Sequence, residues 1–396
     1  MQVSSLRLAA ENLVAPESAP SLCVLKWGGL GSVLTTRPFL RALRERFGRS
    51  RQIIFITSAA NAPLVKRMGL VDEICLLDPR RFPATATIAL ARRLRRKAPA
   101  AFFDLQIHTH RRLAAMISCL SGAPRRFAFF RPRERPSPAC HAIFANPFAP
   151  VDELYLEMAR QAGAAPTPGE AWRRLAISQK DHDRAAALLH GWLGARDHLL
   201  IVNPNASATA YVRRWPLAHY AKAIGILLRD LPGLKIALIG AAEEAAYVAD
   251  LHRLLPSGEA RVKNFAGLTS LGGLMALLSR ADCLLSNDSG PLHLALALET
   301  PVVGLFGPVH PGHNARLGRP ERKIILYQPM LCSPCVHYAA NPPCGGDNLC
   351  MQSIEPENAA AACRALLSKN PLAATRIPQK FSSLDRHAHD NALMSF

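Results

Sequence analysis

Short, near-continuous apolar runs alternate with amphipathic segments through most of the chain. In the first half the runs lie at 22–25, 52–57 (QIIFIT), 73–77 (EICLL), 103–107 and 125–129, and each is short enough for a buried strand. Between them, 33–46, 61–68, 86–97 and 111–120 carry apolar residues at helical spacing. The proline-rich stretch 131–150, RPRERPSPACHAIFANPFAP, reads as a long connection. Helix signals return at 151–163 and 180–193, and then the pattern restarts. Strands are predicted at 199–202, 235–239, 282–286 and 301–306, and helices at 217–230, 242–254, 270–279 and 291–298. A last helix, 356–368, follows a cysteine- and proline-rich segment.

Such alternation of strand and helix predicts parallel sheets covered by helices on both faces. The restart predicts two α/β domains, each doubly wound and Rossmann-like, at 21–175 and 176–369, with a tail at 1–20 and a loosely held tail at 370–396. Ligands are expected at the carboxyl ends of the strands. At 396 residues the chain exceeds the size at which one core keeps growing, which agrees with two domains.

Composition narrows the class. With 49% hydrophobic and 19% charged residues there is apolar material for two cores, which excludes wholesale disorder. No uncharged, proline-free apolar stretch reaches the ~18–20 residues that span a bilayer. The first twenty residues carry Glu11 and Glu17 and lack the plan of a signal peptide, so a soluble, cytoplasmic protein is expected. Charge is uneven. Residues 1–135 hold 24 Lys and Arg against 8 Asp and Glu, whereas the remainder holds 24 against 21. A basic surplus confined to one half points to an anionic partner, with Arg92, Arg93, Arg95, Arg96 and Lys97 as one contact. No recognised nucleic-acid-binding module accompanies it, so nucleic acid is not the expected partner.

The most specific segment is 286–311, SNDSGPLHLALALETPVVGLFGPVHP. Asp288 ends a strand, Ser289 and Gly290 form a turn, and Pro291 suits the first position of a helix. Gly290 permits close approach, and the opening amides of the helix favour a diphosphate. His293, on the first turn, is within reach of a sugar or phosphate. Asp288 as a simple N-cap is the bland alternative. A second turn, Gly304–Pro308, closes the next strand. The loop LKWGGLGSVLTT near the start sets Gly28, Gly29 and Gly31 between a strand and a helix, a shape that lets a ligand approach the backbone, with Ser32 beside them.

NDSGPLHLALALETPVVGLFGP resembles the signature of glycosyltransferase family nine, the lipopolysaccharide heptosyltransferase family. KWGGLGSVLTTRP, VNPNASATAYVRRWP at 202–216 and IGAAEE at 239–244 agree with it in order and spacing. The resemblance implies the GT-B architecture, two Rossmann-like domains facing a cleft, with the acceptor on the N-terminal domain and a nucleotide-diphosphate sugar on the C-terminal one. It implies inverting, metal-independent transfer of heptose from ADP-heptose, with no cofactor, to an anionic glycolipid of the lipopolysaccharide inner core. The enzyme would then lie at the cytoplasmic face of the inner membrane as a peripheral protein. Another nucleotide sugar, another surface glycan, or binding without catalysis are the alternatives.

Residue by residue, Arg213 stands where the family tends to carry lysine, and a cation there would stabilise the leaving diphosphate. Arg214 is its neighbour. Asn203, Asn205 and Ser207 form a polar loop that could meet the phosphates, and Glu243 or Glu244 resembles the acid that contacts the ribose. The family's glycine loop usually reads Gly-Asp, the aspartate serving as base. Here that position is Ser32, which cannot serve. His108 stands where relatives often carry aspartate and is the first choice for the base, with His110 beside it on the acceptor side.

Ten cysteines without an export signal predict reduced thiols or metal. Cys332, Cys335, Cys344 and Cys350, with His337 among them, could hold a structural zinc or form a redox-labile clip, or simply line a packed loop.

Overall fold

A computed structural model describes residues 21–80, 84–130, 134, 140–146, 149–165, 175–206, 208–337 and 342–368. Ser207 and the expected tails at 1–20 and 370–396 lie outside the described residues. The chain divides into two compact units: residues 1–183 with 271–275 and 312–317, and residues 184–270 with 276–311 and 318–396. The first division falls between Asp183 and Arg184, inside the helix Gln179–Leu189.

The first unit holds six parallel strands, β1 Ser21–Leu25, β2 Gln52–Thr57, β3 Glu73–Leu76, β4 Pro99–Asp104, β5 Arg125–Phe130 and β6 His141–Phe144, in the order β3-β2-β1-β4-β5-β6. The second holds β7 His198–Asn203, β8 Leu234–Leu238, β9 Val262–Asn264, β10 Cys283–Asn287, β11 Val302–Phe306 and β12 Lys323–Tyr327, in the order β12-β11-β10-β7-β8-β9. Each is a doubly wound sheet whose order reverses beside its first strand, at β1/β4 and at β7/β10. Crevices at such reversals are where these sheets bind ligands.

The central strands are buried on both faces, as helices on both sides require, and β1 is buried at every position. In the first unit Cys23, Leu25, Trp27, Ile54, Ile56 and Phe102 join one cluster with Leu90, Leu94 and Leu113 of the helices. On the other face Phe103 lies between Phe39, edge-on at 5.2 Å, and Phe127, stacked at 4.9 Å. The second core gathers Leu200, Trp215, Tyr220, Leu238, Leu285 and Val303 with the apolar face of the helix Pro356–Leu367.

Several expectations are corrected. The stretch 131–150 contains β6, because His141 to Phe144 pair in parallel with Phe127 to Phe130. The short edge strands β9 and β12 went unseen, since three to five half-buried residues carry a weak period. β4 begins at Pro99, earlier than the apolar run at 103–107. The helix expected over 33–46 is two, Leu30–Leu34 and Arg37–Phe47, with Thr35 and Thr36 between them. Pro38 sits in the first turn of the second, where its missing N–H costs nothing.

Candidate functional site

In the second unit the switch between β7 and β10 gathers the expected donor residues. Asp288 follows β10 directly and is 2% exposed. Its Oδ2 lies 3.0 Å from Arg213 Nη1 and its Oδ1 lies 3.1 Å from His293 Nε2. A carboxylate can only accept, so His293 Nε2 carries a proton, and Nδ1 lies on the other side of the ring. That Nδ1 is buried and has no partner, as is Arg213 Nε. Ser289, not Asp288, occupies the N-cap; Gly290 is the first helical residue and Pro291 the second of Gly290–Ala297.

Asn203, the last residue of β7, crosses to β10 and donates through Nδ2 to Ser286 Oγ at 3.0 Å and Ser289 Oγ at 2.8 Å. Asn205 donates to Asn203 Oδ1 at 3.1 Å and to the Ile239 carbonyl at 2.9 Å, leaving its own Oδ1 buried without a partner. Buried polar atoms are ordinarily satisfied, so three orphans around one helix start mark a place for polar ligand atoms. Gly240 belongs to this packing: a Cβ there would meet Asn205 Nδ2 at 2.8 Å and Val248 Cγ2 at 2.9 Å.

One residue not foreseen, Asn287, holds the frame. Asn287 accepts from Trp215 N at 3.1 Å and from Tyr220 Oη at 2.9 Å, and donates to the Pro204 carbonyl at 2.8 Å. It ties the loop after β7 to the end of β10. The Asn-Asp-Ser run after a buried strand was the signal, although it read as ligand chemistry alone. Arg214 proves to be a strut: its Nη2 donates to the Ala206 carbonyl at 3.0 Å and its guanidinium lies 4.3 Å over the Tyr247 ring. Glu244 turns back to accept from Ala241 N at 2.9 Å, while Glu243 is exposed on the same turn.

In the first unit the glycine loop follows β1. Gly28 has φ +117°, a conformation that favours glycine, and its carbonyl accepts from Asn61 Nδ2 at 2.9 Å. Gly29 caps the helix Leu30–Leu34, with Gly31 half-buried and Ser32 exposed on its first turn. His108 and His110 are exposed on the loop after the neighbouring strand β4. Gln106 clamps the two loops, accepting from Trp27 N at 3.1 Å and donating to the Thr109 carbonyl at 2.8 Å. The His110 ring stands edge-on to Trp27 at 6.1 Å.

Beneath lie two buried ionisable residues, Lys26 and Asp104, that the sequence did not single out. Lys26 Nζ donates to the Leu105 carbonyl at 2.8 Å, and Asp104 Oδ1 accepts from Gln106 N at 2.9 Å. Burial lowers Lys26 to about 8, against the opposing pull of Asp104. Burial likewise raises Asp104 to about 7, against the Gln106 amide and Lys26. A lysine directly after an all-apolar strand was the visible signal.

The cysteine segment packs against the turn after β11. A Cβ on Gly307 would meet Met351 Sδ at 2.6 Å and Cys350 Sγ at 2.8 Å. Burial raises the Cys335 thiol and pushes Cys350 up to about 11, whereas backbone amides, that of Asn348 first, lower Cys344. Among the described residues no disulfide links these cysteines, and no three His, Cys, Asp or Glu side chains gather to hold a metal ion, Cys332 included. Of the basic segment, Arg93 and Lys97 pair with Glu73 at 2.8 and 2.9 Å, and Arg92, Arg95 and Arg96 are exposed. No helix among the described residues is long and apolar enough to cross a membrane.

Two doubly wound sheets, with a cluster of polar residues at the switch of the second, define a protein of GT-B architecture. Residues 88–343 match the model of glycosyltransferase family 9 (heptosyltransferase), more than half of the chain, and the chain belongs to that family. It is 25% identical over 322 residues to the lipopolysaccharide core heptosyltransferase OpsX of Haemophilus influenzae, covering 79% of this chain and 86% of that one. It is 30% identical over 159 residues to lipooligosaccharide heptosyltransferase 2 of the same organism, 40% of this chain and 44% of the relative. The chain spans about a third to a half of the length of the first curated relatives it matches. Among solved structures it resembles the Escherichia coli ADP-heptose lipopolysaccharide heptosyltransferase II, with a TM-score of 0.70 and 21% identity over 88% of this chain and 99% of that one. That likeness is one of fold.

Proposed function

We propose that this protein is an inverting glycosyltransferase that moves heptose from ADP-heptose to an inner-core lipopolysaccharide acceptor, working as a peripheral protein at the cytoplasmic face of the inner membrane. The observation that carries the reading is the group at the head of Gly290–Ala297: Asp288 buried between Arg213 and His293, with Arg213 Nε and His293 Nδ1 buried and open. Family membership and the names of the relatives supply the sugar, the nucleotide and the acceptor.

In this mechanism the helix amides at Ser289 to Pro291, with Arg213, take the diphosphate. Negative charge grows on that diphosphate as the glycosidic bond breaks, and a preorganised cation lowers the barrier most at that point. Asp288 does not touch the reacting atoms; it orients Arg213 and fixes the tautomer of His293, whose Nδ1 accepts from a donor hydroxyl. Asn203 and Asn205 line the phosphate side. Glu243 receives the ribose, because Glu244 is spent on the turn.

On the acceptor side the backbone of Gly28, Gly29 and Gly31 lies against the sugar, with Ser32 and His110 binding its hydroxyls. His108 takes the proton of the attacking hydroxyl, the role that Ser32 cannot fill. Attack from the face opposite the diphosphate inverts the anomeric centre. The exposed arginines of the basic half dock the protein at an anionic surface, each contributing roughly 1 kcal/mol. No step calls on a metal.

The test is incubation of the purified chain with ADP-heptose and a heptose-less Kdo-lipid A acceptor, read as the mass added by one heptose. Transfer supports the reading. ADP-heptose bound with neither transfer nor ADP release, whether or not acceptor is present, would support a binding protein, the alternative that Ser32 motivates.

A further inference from the structure

Arg37 opens the helix Arg37–Phe47, one short turn beyond the glycine loop, and is 7% exposed. Three features make it a misfit as a structural residue. Its Nε and Nη1 are buried with no hydrogen-bond partner among the described residues. It occupies the first position of an eleven-residue helix whose opening turn carries no acid, so its charge sits on the positive end of the helix dipole. The charged neighbour that acts on it is Arg41, a like charge.

The other arginines of the same face each have an acidic partner. Arg41 Nε meets Glu45 at 2.6 Å, and Arg44 meets Asp72 at 2.7 Å and the Leu70 carbonyl at 2.8 Å. Burying a cation without a counter-ion is among the costlier arrangements a fold can carry. Burial and Arg41 hold the Arg37 guanidinium down to about 10, which still leaves it charged at neutral pH. A buried, charged fork with open donors at a helix start has the chemistry of an oxyanion receptor.

We infer that Arg37 and the start of its helix form a binding site for an oxyanion of the acceptor, a carboxylate or a phosphate, which completes the charge balance only when the acceptor is present. The identity of the ligand as acceptor rests on the proposed function; the anion site itself rests on Arg37. Placement at position 37, five residues past Ser32, sets a fixed distance between the anion and the acceptor hydroxyl. The site would therefore select acceptors by where their anionic group lies.

The experiment titrates inorganic phosphate, and separately acetate, into the full-length chain at constant ionic strength with ADP saturating, and follows the thermal midpoint. Phosphate is expected to raise the midpoint of the unsubstituted protein. The concentration for half the effect should rise at least tenfold in Arg37→Met and less in Arg37→Lys. An equal response to acetate would assign the site to a carboxylate-sized group, and a response to phosphate alone to a phosphate; either supports the site. In chloride alone Arg37→Met should melt at or above the unsubstituted protein, because it removes a buried cation that has no partner. A lower midpoint in chloride for both variants, or a phosphate response that substitution leaves unchanged, overturns the proposal. In the transfer assay Arg37→Met should raise the acceptor KM at least tenfold and leave the donor KM alone; the reverse pattern refutes the acceptor assignment. Phosphate binding lost in Arg37→Met by a chain that transfers no heptose would retire the proposed function and keep the site.

Discussion

Arg213 Nη1 lies 3.0 Å from Oδ2 of Asp288, so the cation proposed to hold the diphosphate is oriented by a buried carboxylate. The pairing explains how a guanidinium that keeps 29% of its side-chain surface can still be held in one orientation. Replacing Asp288 with Ala is expected to lower kcat by about 10² and the unfolding free energy by on the order of 2–3 kcal/mol, at or below the low end for broken buried pairs because Arg213 is partly exposed. Steady-state kinetics and denaturant titration check the two numbers separately. Loss of stability with full activity would remove the aiming role.

Asp288 holds His293 Nε2 at 3.1 Å, and Nδ1 is buried without a partner. His293→Gln is expected to raise the KM for ADP-heptose several-fold while affinity for ADP itself changes little, since the ring is assigned to the sugar. Calorimetric titration with each nucleotide decides; an equal loss for both would move His293 to the diphosphate.

Gly240 stands where a side chain would collide with Asn205. Gly240→Ala should displace Asn205, cost about 1–3 kcal/mol and weaken donor binding. The measurement pairs a melting curve with a donor titration, and unchanged donor affinity in a destabilised variant would confine Gly240 to packing.

His108→Ala is expected to cut kcat by about 10² or more, the usual worth of a positioned base. Ser32→Asp placed in that background should regain at least tenfold, by restoring a carboxylate on the first turn of Leu30–Leu34. Rates for the two single variants and the double variant test this together. Full activity in His108→Ala would end its candidacy.

Lys26 and Asp104, both buried, give a pH signature. Asp104 stays protonated in the fold up to about 7, so between its ordinary carboxylate range and that pH the folded chain binds more protons than the unfolded one. Stability from this group is therefore complete at low pH and is lost as pH rises towards 7. Lys26, held near 8, sheds its proton on folding, so above 8 stability rises with pH towards the ordinary lysine range. Calorimetry of the first transition at pH 5, 6 and 7 should show a falling midpoint that Asp104→Asn flattens. Parallel profiles for the two proteins would contradict the shift.

Much of the fold was legible in the chain. The buried parallel strands read as short apolar runs because helices cover both faces, and β2 and β7 fall within a residue or two of their predicted limits. The segment Asn287 to Gly290 was legible for a similar reason: a strand, a polar turn, glycine and proline leave few local conformations. Period fails where burial is partial, which is why β6, β9 and β12 were missed.

What the sequence alone determined was the class of fold, the family, and the segments that carry polar chemistry, since these depend on local burial and dihedral preference. Tertiary structure decided which of those side chains are free to act. Arg214 and Glu244 look like ligands in sequence and are consumed by a carbonyl and a turn, whereas Arg37 and Lys26 look ordinary and prove buried. Asp288 meets Arg213 across seventy-five positions because β7 and β10 pair at a fixed register, Ser286 opposite Asn203. Contacts between strands far apart in the chain set the partners of a charge, and no local pattern records them.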